Sequence, residues 1–210
     1  RAEGAQDKLR AIEPYQARFS FVRQQRMLGT GHALMQISSL VGREPFIVAY
    51  PDDLHFGNPP LSAGMIETHK QTGCSVLATI HDPPNLERYG VLRLAEDKLH
   101  VTGMVEKPAP GTAPSKEVSI GRYLYTAAFL DYLQEGWEKH LEAGNTREYF
   151  HLYALEKLME EGAVVHRPLP AEERIDTGSP AGYLRAILKA AAADAELRPV
   201  LEKEIRNLQG

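Results

Sequence analysis

The chain is poor in cysteine and has no excess of positive charge. Of its 210 residues only Cys74 is a cysteine, so no disulfide can form within the chain, and no cysteine–histidine spacing indicates a zinc site. The net charge of −4 argues against nucleic acid as a partner on a broad basic surface, although a local basic groove stays open. A disulfide-stapled miniprotein is excluded.

Long apolar runs are also missing. No stretch approaches the ~18 residues of a transmembrane helix, and no signal peptide opens the sequence. The composition, 43% hydrophobic and 25% charged, is that of a globular protein rather than a disordered segment. We therefore expect a cytoplasmic protein with no membrane partner, built as one domain or one domain with a small appendage. Residue 1 is arginine, which suggests a longer gene product.

The hydrophobic pattern of the first half predicts an α/β fold. Apolar runs bounded by turn residues predict buried strands over 45–50 and 74–80, and β-favouring residues predict a strand over 17–22. Helical spacing is found over 32–40 and 61–72. This alternation of strand and helix argues for a parallel sheet with right-handed crossovers.

The second half changes character. Three strands with little helix between them are predicted over 89–94, 100–106 and 118–125, which indicates an antiparallel excursion or a mixed sheet. The other predicted elements are a charged helix over 1–12, helices over 127–141 and 147–161, a short strand over 163–169, and a helical tail over 180–208 with a break near Pro199.

Two carboxylates follow the predicted strand over 45–50. Asp52 and Asp53 come just past its carboxyl end, which is where open α/β sheets bind ligands. A carboxylate there can hold Mg²⁺ together with substrate phosphates. Asp52 can equally cap a turn, and the sequence leaves both roles open.

A third carboxylate precedes the helical tail. Ser179 suits an N-cap and Pro180 the first helical position, so the helix start explains both residues. Asp176 is left unassigned and is the candidate for a second metal-binding carboxylate.

Two short motifs are compatible with anion binding. The turn LGTG at 28–31 lies between a predicted strand and a predicted helix, so its backbone can approach a ligand, or its glycines only make a tight turn. Glu106 and Lys107 end a predicted strand, where Lys107 can pair with a phosphate, or both are solvated surface.

Six motifs, taken in chain order, resemble a single family. They are VRQQRMLGTGHA (22–33), PDDL (51–54), YGVL (89–92), VEKP (105–108), IGRY (120–123) and DTGSPAGYLRA (176–186). Each is weak alone, but chance would have to reproduce both their content and their order. Over about residues 17–193 the chain resembles the bacterial UTP–glucose-1-phosphate uridylyltransferases, or UDP-glucose pyrophosphorylases, of the sugar nucleotidyltransferase superfamily.

The resemblance implies a fold and a division of the chain. The fold is a Rossmann-like, three-layer α/β nucleotidyltransferase fold, with a mixed, mainly parallel sheet flanked by helices, a small antiparallel excursion and C-terminal helices. Residues 1–193 would form the nucleotidyltransferase domain, lacking its N-terminal βα portion, and residues 194–210 a helical tail. Because homo-oligomers are common in the family, we expect a homo-oligomer.

The resemblance also implies binding roles, position by position. Gln24 and Gly29 match positions that contact the uracil base. Gly90 and Gly121 match glycines beside the sugar. Glu106 would hydrogen-bond the glucose hydroxyls.

Three residues would serve the reaction itself. Asp52 and Asp176 match the two aspartates that bind Mg²⁺, and Lys107 would bind the glucose phosphate. The implied reaction joins UTP and glucose 1-phosphate into UDP-glucose and pyrophosphate by in-line displacement, with Mg²⁺ as the cofactor. Such a transfer needs positioning and charge neutralisation, not a nucleophilic side chain or a general base.

The sequence departs from the family pattern in two places. Nothing in residues 1–14 matches the GxGTR loop and Pro-Lys that cradle the triphosphate, so the chain is expected to start inside the family fold. In the helix predicted over 147–161, Glu148 is kept, but Leu152 and Tyr153 fall where the family has a polar Thr-Asp pair. Sugar specificity or an oligomer contact there is open.

Two alternatives to this function stay open. One is a nucleotidyltransferase for another sugar 1-phosphate or another nucleoside triphosphate, because the fold serves many pairs. The other is a non-catalytic, sugar-nucleotide-binding or regulatory protein, although the retained Asp52, Lys107 and Asp176 argue against it.

Overall fold

A six-stranded mixed sheet and a separate two-stranded sheet form the framework of the computed structural model, which describes residues 4, 6 and 18–209. The strands are β1 (Phe46–Ala49), β2 (Asp53–His55), β3 (Ser75–His81), β4 (Gly90–Leu94), β5 (Val101–Glu106), β6 (Glu117–Tyr125), β7 (Val164–Pro168) and β8 (Arg174–Asp176). The helices are α1 (Thr30–Met35), α2 (Ser38–Val41), α3 (Leu61–Thr72), α4 (Ala128–Glu142), α5 (Leu152–Glu160), α6 (Pro180–Ala193) and α7 (Leu197–Gln209). Short 3₁₀ turns lie at Leu86–Arg88 and Ala171–Glu173.

The large sheet is organised around β6. Its order is β5-β4-β6-β3-β7. Strand β1 also pairs with β6, along the same edge of β6 as β4. Strands β1, β3, β4 and β7 run in one direction and β5 and β6 in the other. The mixed α/β class is therefore confirmed. Four of the six strands run in the same direction, as a mainly parallel sheet requires. Most neighbouring strands are nevertheless antiparallel, because among the described strands only β3 and β7 form a parallel pair.

Helices cover both faces of this sheet and give it three layers. Successive residues of β3 point to opposite faces, so Leu77 packs in one apolar cluster and Val76 in the other. The first cluster contains Phe129 of α4, stacked on Tyr125 with ring centroids 3.7 Å apart. The second contains Met65 of α3. Both clusters are made of buried side chains, which fixes the register of the central strands.

The helix predicted over 61–72 agrees with α3 at both ends. Gly73 ends it in the left-handed conformation with φ +72°, and its N–H donates to the carbonyl of His69 at 2.7 Å. A glycine adopts this conformation without the steric cost that a Cβ brings. The sequence was sufficient to predict both ends of this helix, because the helix and the glycine that ends it lie in one short segment.

Three predicted elements are wrong in extent or kind. The helix predicted over 32–40 is two short helices, Thr30–Met35 and Ser38–Val41, separated by a turn at residues 36–37. Residues 18–22 form no strand, and the side chains of Phe19 and Phe21 are exposed, so their β-favouring bulk has nothing to pack on among the described residues. The helix predicted over 147–161 begins only at Leu152. Ala17 and most of the helix predicted over 1–12 lie outside the described residues.

The tail consists of two helices, and the break predicted near Pro199 lies at residues 194–196. Helix α6 ends at Ala193, and the carboxylate of Asp194 accepts hydrogen bonds from the N–H groups of Glu196 and Leu197 at 2.8 and 2.9 Å, which caps α7. Pro199 lies in the first turn of α7, where its missing N–H has no helical partner to lose. No helix in the described part of the chain has the length and apolarity to cross a membrane.

Candidate active site

A cavity of about 490 Å³ opens where β1 ends and β4 begins along the same edge of β6. Because neither strand covers the stretch of β6 between them, residues 119–121 face this space. Six of the eight site residues predicted from the sequence line the cavity: Asp52, Gly90, Glu106, Lys107, Gly121 and Asp176. They come from five segments of the chain, so the fold brings together what the sequence separates.

Asp52 and Asp176 lie side by side in the cavity. The small sheet joins their segments, since Asp53 is the register partner of Asp176 and the N–H of Thr177 donates to the carbonyl of Asp52 at 2.7 Å. A Cβ on Gly178 would stand 3.0 Å from Asp176 Oδ1 and 3.4 Å from Asp52 Oδ2. The two carboxylates therefore flank one small space that a side chain at position 178 would fill.

Asp53 has a different role from its neighbour Asp52. Its buried carboxylate accepts hydrogen bonds from Arg174 Nε at 2.8 Å, Arg174 Nη2 at 2.9 Å and the N–H of Gly121 at 2.8 Å. A bidentate arginine–carboxylate pair is strong and fixes geometry. Asp53 thus ties β2 to β8 and β6, and it sets the positions of Gly121 and Asp176.

Glu106 and Lys107 line the same cavity at the end of β5. Lys107 adopts a left-handed backbone with φ +47°, and its N–H donates to the carbonyl of Tyr89 at 2.9 Å. Such a conformation is unfavourable for a residue with a Cβ and is concentrated at functional sites. Gly90 is the register partner of Glu106, and a Cβ on it would stand 2.7 Å from Met104 Sδ and 3.0 Å from Glu106 Oε2. Glycine at 90 therefore leaves room for the Glu106 carboxylate.

Gln24 and Gly29 do not line the cavity but lie against its rim. Gln24 Nε2 donates to the carbonyl of Gly29 at 3.0 Å, and the next residue, Thr30, lines the cavity. Gly29 has φ +95°, and a Cβ on it would stand 2.4 Å from the carbonyl oxygen of Tyr149. The N–H of Gly31 donates to that same oxygen at 3.0 Å. The glycines therefore allow the backbone of residues 28–31 to contact the backbone at Tyr149. A contact of Gln24 and Gly29 with the nucleotide stays a prediction.

His151 is a polar residue beside Thr30 that none of the sequence motifs includes. His151 Nδ1 lies 3.3 Å from Thr30 Oγ1 and 3.4 Å from the hydroxyl of Tyr50. Burial lowers the pKa of His151 to about 4, so its ring is neutral at pH 7, and burial raises the pKa of Tyr50. No sequence signal separated His151 from a surface histidine, because its two partners are about a hundred residues away.

Asp52 and Asp176 are suited to bind a cation whose remaining ligands come from the substrate. In the part of the chain that the structure describes, no group of three or more metal-binding side chains surrounds one point. Asp52 and Asp176 supply two hard oxygen donors around the space beside Gly178. Mg²⁺ is usually held by one or two carboxylates, with waters and substrate phosphates completing its shell. The donor set therefore fits Mg²⁺ bound with a phosphate ligand rather than an all-protein cage.

The chain belongs to the nucleotidyl transferase family. The sequence profile described as "Nucleotidyl transferase" matches residues 1–193, which is most of the chain. The mixed three-layer sheet and a cavity with two carboxylates are consistent with this class.

Within that family, the chain is similar to proteins named for uridylyl transfer to glucose 1-phosphate. The chain is 34% identical over 174 residues to a UTP–glucose-1-phosphate uridylyltransferase of Pseudomonas aeruginosa, covering 80% of this chain and 60% of the relative. It is similar to a solved UDP-glucose pyrophosphorylase from Acinetobacter baumannii, with a TM-score of 0.81, 26% identity, and coverage of 99% of this chain and 73% of that one. A UDP-glucose pyrophosphorylase solved with UDP-glucose gives a TM-score of 0.71 and 29% identity, over 87% of this chain and 70% of that one.

Proposed function

We propose that the protein transfers a uridylyl group from UTP to glucose 1-phosphate, giving UDP-glucose and pyrophosphate. The observation that carries this proposal is the meeting of Asp52, Asp176, Glu106 and Lys107 in one cavity. The names of the relatives support the same substrates. The chain spans about 60% of the length of the curated relative from P. aeruginosa, so the activity is proposed for the protein as its gene encodes it.

The reaction is a single in-line displacement. A phosphate oxygen of glucose 1-phosphate forms a bond to the α-phosphorus of UTP, and the bond from that phosphorus to the bridging oxygen breaks. Pyrophosphate leaves with the electron pair, and no proton has to move because the attacking group is already an anion. Catalysis then rests on alignment and on charge stabilisation at the transferring group.

Local cations offset the charge of two anionic substrates. Asp52 and Asp176 would hold Mg²⁺, and when bound this ion neutralises phosphate charge and orients the reacting groups. Lys107 contributes a compact positive charge to the attacking phosphate from the end of β5. Arg174 also lines the cavity, but its guanidinium is engaged by Asp53, so its role is to hold the frame.

The two ends of the cavity divide the substrates. Glu106 accepts hydrogen bonds from sugar hydroxyls, and Gly90 and Gly121 let the sugar approach the sheet. At the other end Thr30 follows Gly29, and Gln24 supports this loop for the uracil base. On this division, the carboxylate pair would act on the phosphates between the nucleotide and the sugar.

The test is a direct assay of the protein with UTP, glucose 1-phosphate and Mg²⁺. We expect UDP-glucose to form, and Asp52→Asn and Asp176→Asn each to lower kcat by about 10²-fold or more, because each change removes an anionic metal ligand. Asp131→Asn is the control, since Asp131 is exposed and pairs with Arg43 outside the cavity. Normal turnover by both site variants would contradict the roles. Binding of UDP-glucose without turnover would indicate a non-catalytic sugar-nucleotide-binding protein.

We also propose the division into a domain over 1–193 and a tail over 194–210, and a homo-oligomeric state. In support, none of the α7 side chains is buried, and apolar residues such as Val200 and Leu208 are exposed. Light scattering of the full chain and of residues 1–193 tests this. We expect an oligomer for the full chain and a folded core without the tail, whereas a monomeric full chain would contradict the oligomer.

A further inference from the structure

His151 joins two parts of the cavity wall that are far apart along the chain. Its Nδ1 lies 3.3 Å from Thr30 Oγ1 and 3.4 Å from the hydroxyl of Tyr50, and all three residues line the cavity. Thr30 begins α1, whereas Tyr50 follows β1 directly. One ring nitrogen therefore contacts both the loop at 28–31 and the segment that leads to Asp52.

Tyr50 is fixed to the turn that contains Asp52. Its N–H donates to the carbonyl of Gly121 at 2.8 Å, and its own carbonyl accepts from the N–H of Asp53 at 3.2 Å. The second bond closes a turn over residues 50–53. A displacement of Tyr50 would therefore also displace Asp52, because the two residues belong to one short, hydrogen-bonded segment.

The loop before α1 is held by the same segment that contains His151. The N–H of Tyr149 donates to the carbonyl of Leu28 at 2.7 Å, and the N–H of Gly31 donates to the carbonyl of Tyr149 at 3.0 Å. These bonds hold the backbone of the loop, but they leave the side chain of Thr30 a choice of rotamers. The contact with His151 selects the rotamer that turns the hydroxyl of Thr30 toward the ring.

The ring of His151 is itself held in one orientation. Its centroid lies 5.3 Å from that of Tyr123 in an edge-to-face contact of 63°, and its backbone carbonyl accepts from the N–H of Leu155 at 3.2 Å as α5 begins. The ring is neutral at pH 7, because burial lowers its pKa to about 4. A neutral imidazole has one nitrogen that accepts and one that donates, so two hydroxyl donors facing Nδ1 favour a proton on Nε2.

We propose that His151 is a positioning residue for the transfer reaction, which accepts hydrogen bonds at Nδ1 from Thr30 and Tyr50 and so sets the distance between the nucleotide end of the cavity and the aspartates. This inference rests on the proposed function, in which the α-phosphorus of UTP must lie in line with the attacking phosphate. A misplacement of about 1 Å can lower a rate by about 10²-fold. Both contacts are longer than a typical hydroxyl hydrogen bond, and hydrogen bonds in active sites often tighten when substrate binds.

The first test separates the acceptor at Nδ1 from the bulk of the ring. In the full-length protein, His151→Asn places an amide oxygen close to the position of Nδ1, whereas His151→Phe keeps a flat ring without an acceptor. With UTP, glucose 1-phosphate and Mg²⁺, we expect His151→Phe to lower kcat by about 10- to 100-fold and His151→Asn to stay within about threefold of the unmodified protein. The KM for glucose 1-phosphate should change by less than about twofold in both, because the contact that is lost does not involve β5.

Thermal unfolding distinguishes this role from a purely structural one. Asparagine is smaller than the ring it replaces, so His151→Asn should have a lower Tm than His151→Phe, which fills the site. We therefore expect the less stable variant to be the more active one. Activity that follows stability, or an unchanged kcat in His151→Phe, would overturn the proposal.

A double-mutant cycle tests the contact from the other side. Thr30→Val removes the hydroxyl, keeps the shape of the side chain and should lower kcat by at least about fivefold. Because both changes break one contact, Thr30→Val combined with His151→Phe should be at most about twofold slower than the slower single variant. Full kcat in Thr30→Val, or effects that multiply in the double variant, would contradict the proposal. The control is His100→Phe, since the ring of His100 pairs with Asp97 and does not line the cavity, and its kcat should match that of the unmodified protein.

A measurement without substrate keeps the failure of this inference apart from that of the proposed function. The ¹⁵N chemical shifts of the His151 ring at pH 7 report which nitrogen carries the proton. We expect an unprotonated Nδ1, whose shift changes in Thr30→Val and in Tyr50→Phe. A protein that forms UDP-glucose but carries the proton on Nδ1 contradicts only this inference. A protein that forms no UDP-glucose contradicts the proposed function and, with it, any role of His151 in the transfer.

Discussion

At the scale of single residues, two neighbouring aspartates show how the fold assigns different roles to identical side chains. Asp52 keeps its carboxylate in the cavity, whereas Asp53 is 8% exposed and bound by Arg174 and the N–H of Gly121. A buried ion pair contributes little net stability, but removal of one partner leaves an uncompensated buried charge. The carboxylate of Asp53 is therefore required for folding more than for chemistry.

This difference predicts a stability effect. Asp53→Ala should lower the free energy of unfolding by about 3–5 kcal/mol, because the buried Arg174 loses both short contacts to Asp53 and, among the described carboxylates, keeps only a 3.8 Å contact with Asp176. Asp131→Ala is the control, since it also breaks an arginine–aspartate pair, here with Arg43 Nη1 bonded to both carboxylate oxygens, but one that water surrounds. Urea unfolding of both variants measures the contrast. Equal midpoints for the two variants would show that the Asp53 pair is not a structural anchor.

His151 predicts a pH dependence of stability. Burial lowers its pKa from 6.5 to about 4, so between these pH values the unfolded chain binds a proton that the folded chain does not. The neutral ring of His151 therefore contributes to the free energy of unfolding above pH 6.5, and this contribution is lost as pH falls toward 4. The loss is about 1.4 kcal/mol per pH unit and roughly 3 kcal/mol in all. His151→Gln should flatten the profile of unfolding free energy over this window. Identical slopes for both proteins would refute the neutral, buried histidine.

Predicted residues that stand in short motifs reach the cavity, although their roles stay predictions, whereas contacts that span the chain were not predicted. Asp52, Glu106, Lys107 and Asp176 stand in compact motifs, and all four reach the cavity. Arg174 belongs to no such motif, and its partner Asp53 is 121 residues away. No local pattern can reveal a pair that only the small sheet of β2 and β8 brings together.

At the scale of elements, errors arise where a segment's partner decides its structure. The helix predicted over 147–161 starts five residues late because the backbone at Tyr149 is already engaged: its N–H donates to Leu28 at 2.7 Å and its carbonyl accepts from Gly31. The insertion of β6 between β1 and β3 is likewise a property of the whole sheet. Helix α3 was predictable because propensity and the stop at Gly73 agree locally.

The contact between the loop at 28–31 and Tyr149 predicts a contrast between two glycines. Gly29 and Gly42 both have positive φ, but a Cβ on Gly29 would collide with backbone at 2.4 Å, whereas one on Gly42 would meet nothing within 4 Å among the described residues. Gly42→Ala should lower the free energy of unfolding by about 1–3 kcal/mol, because a residue with a Cβ rarely adopts the backbone conformation of Gly42 (φ +65°, ψ −129°). Gly29→Ala should cost more and should raise hydrogen exchange at the amide of Tyr149. Equal effects would mean that the contact does not hold the loop.

At the scale of the whole molecule, the cavity depends on the assembly of distant segments. Its lining runs from Thr30 to Asp176, and the gap between β1 and β4 exists only because both strands pair with the long strand β6. The net charge of −4 also means that anionic ligands are not attracted by the protein as a whole. On the proposed function, such ligands would be held by cations at the site: Lys107 and a metal ion bound by Asp52 and Asp176.

A ligand that bridges these segments should therefore stabilise the entire fold. With UDP-glucose at about 100 times its Kd, binding to the folded state alone adds about 2.7 kcal/mol, which for a chain of this size raises Tm by about 5–10 °C. Lys107→Met should reduce the shift at the same ligand concentration, because the sugar-side phosphate loses its cation, while Tm without ligand stays near that of the unmodified protein, since this side chain is exposed. Thermal unfolding with and without UDP-glucose measures both effects. An unchanged Tm at saturating UDP-glucose would show that the segments around the cavity do not bind this ligand as one unit.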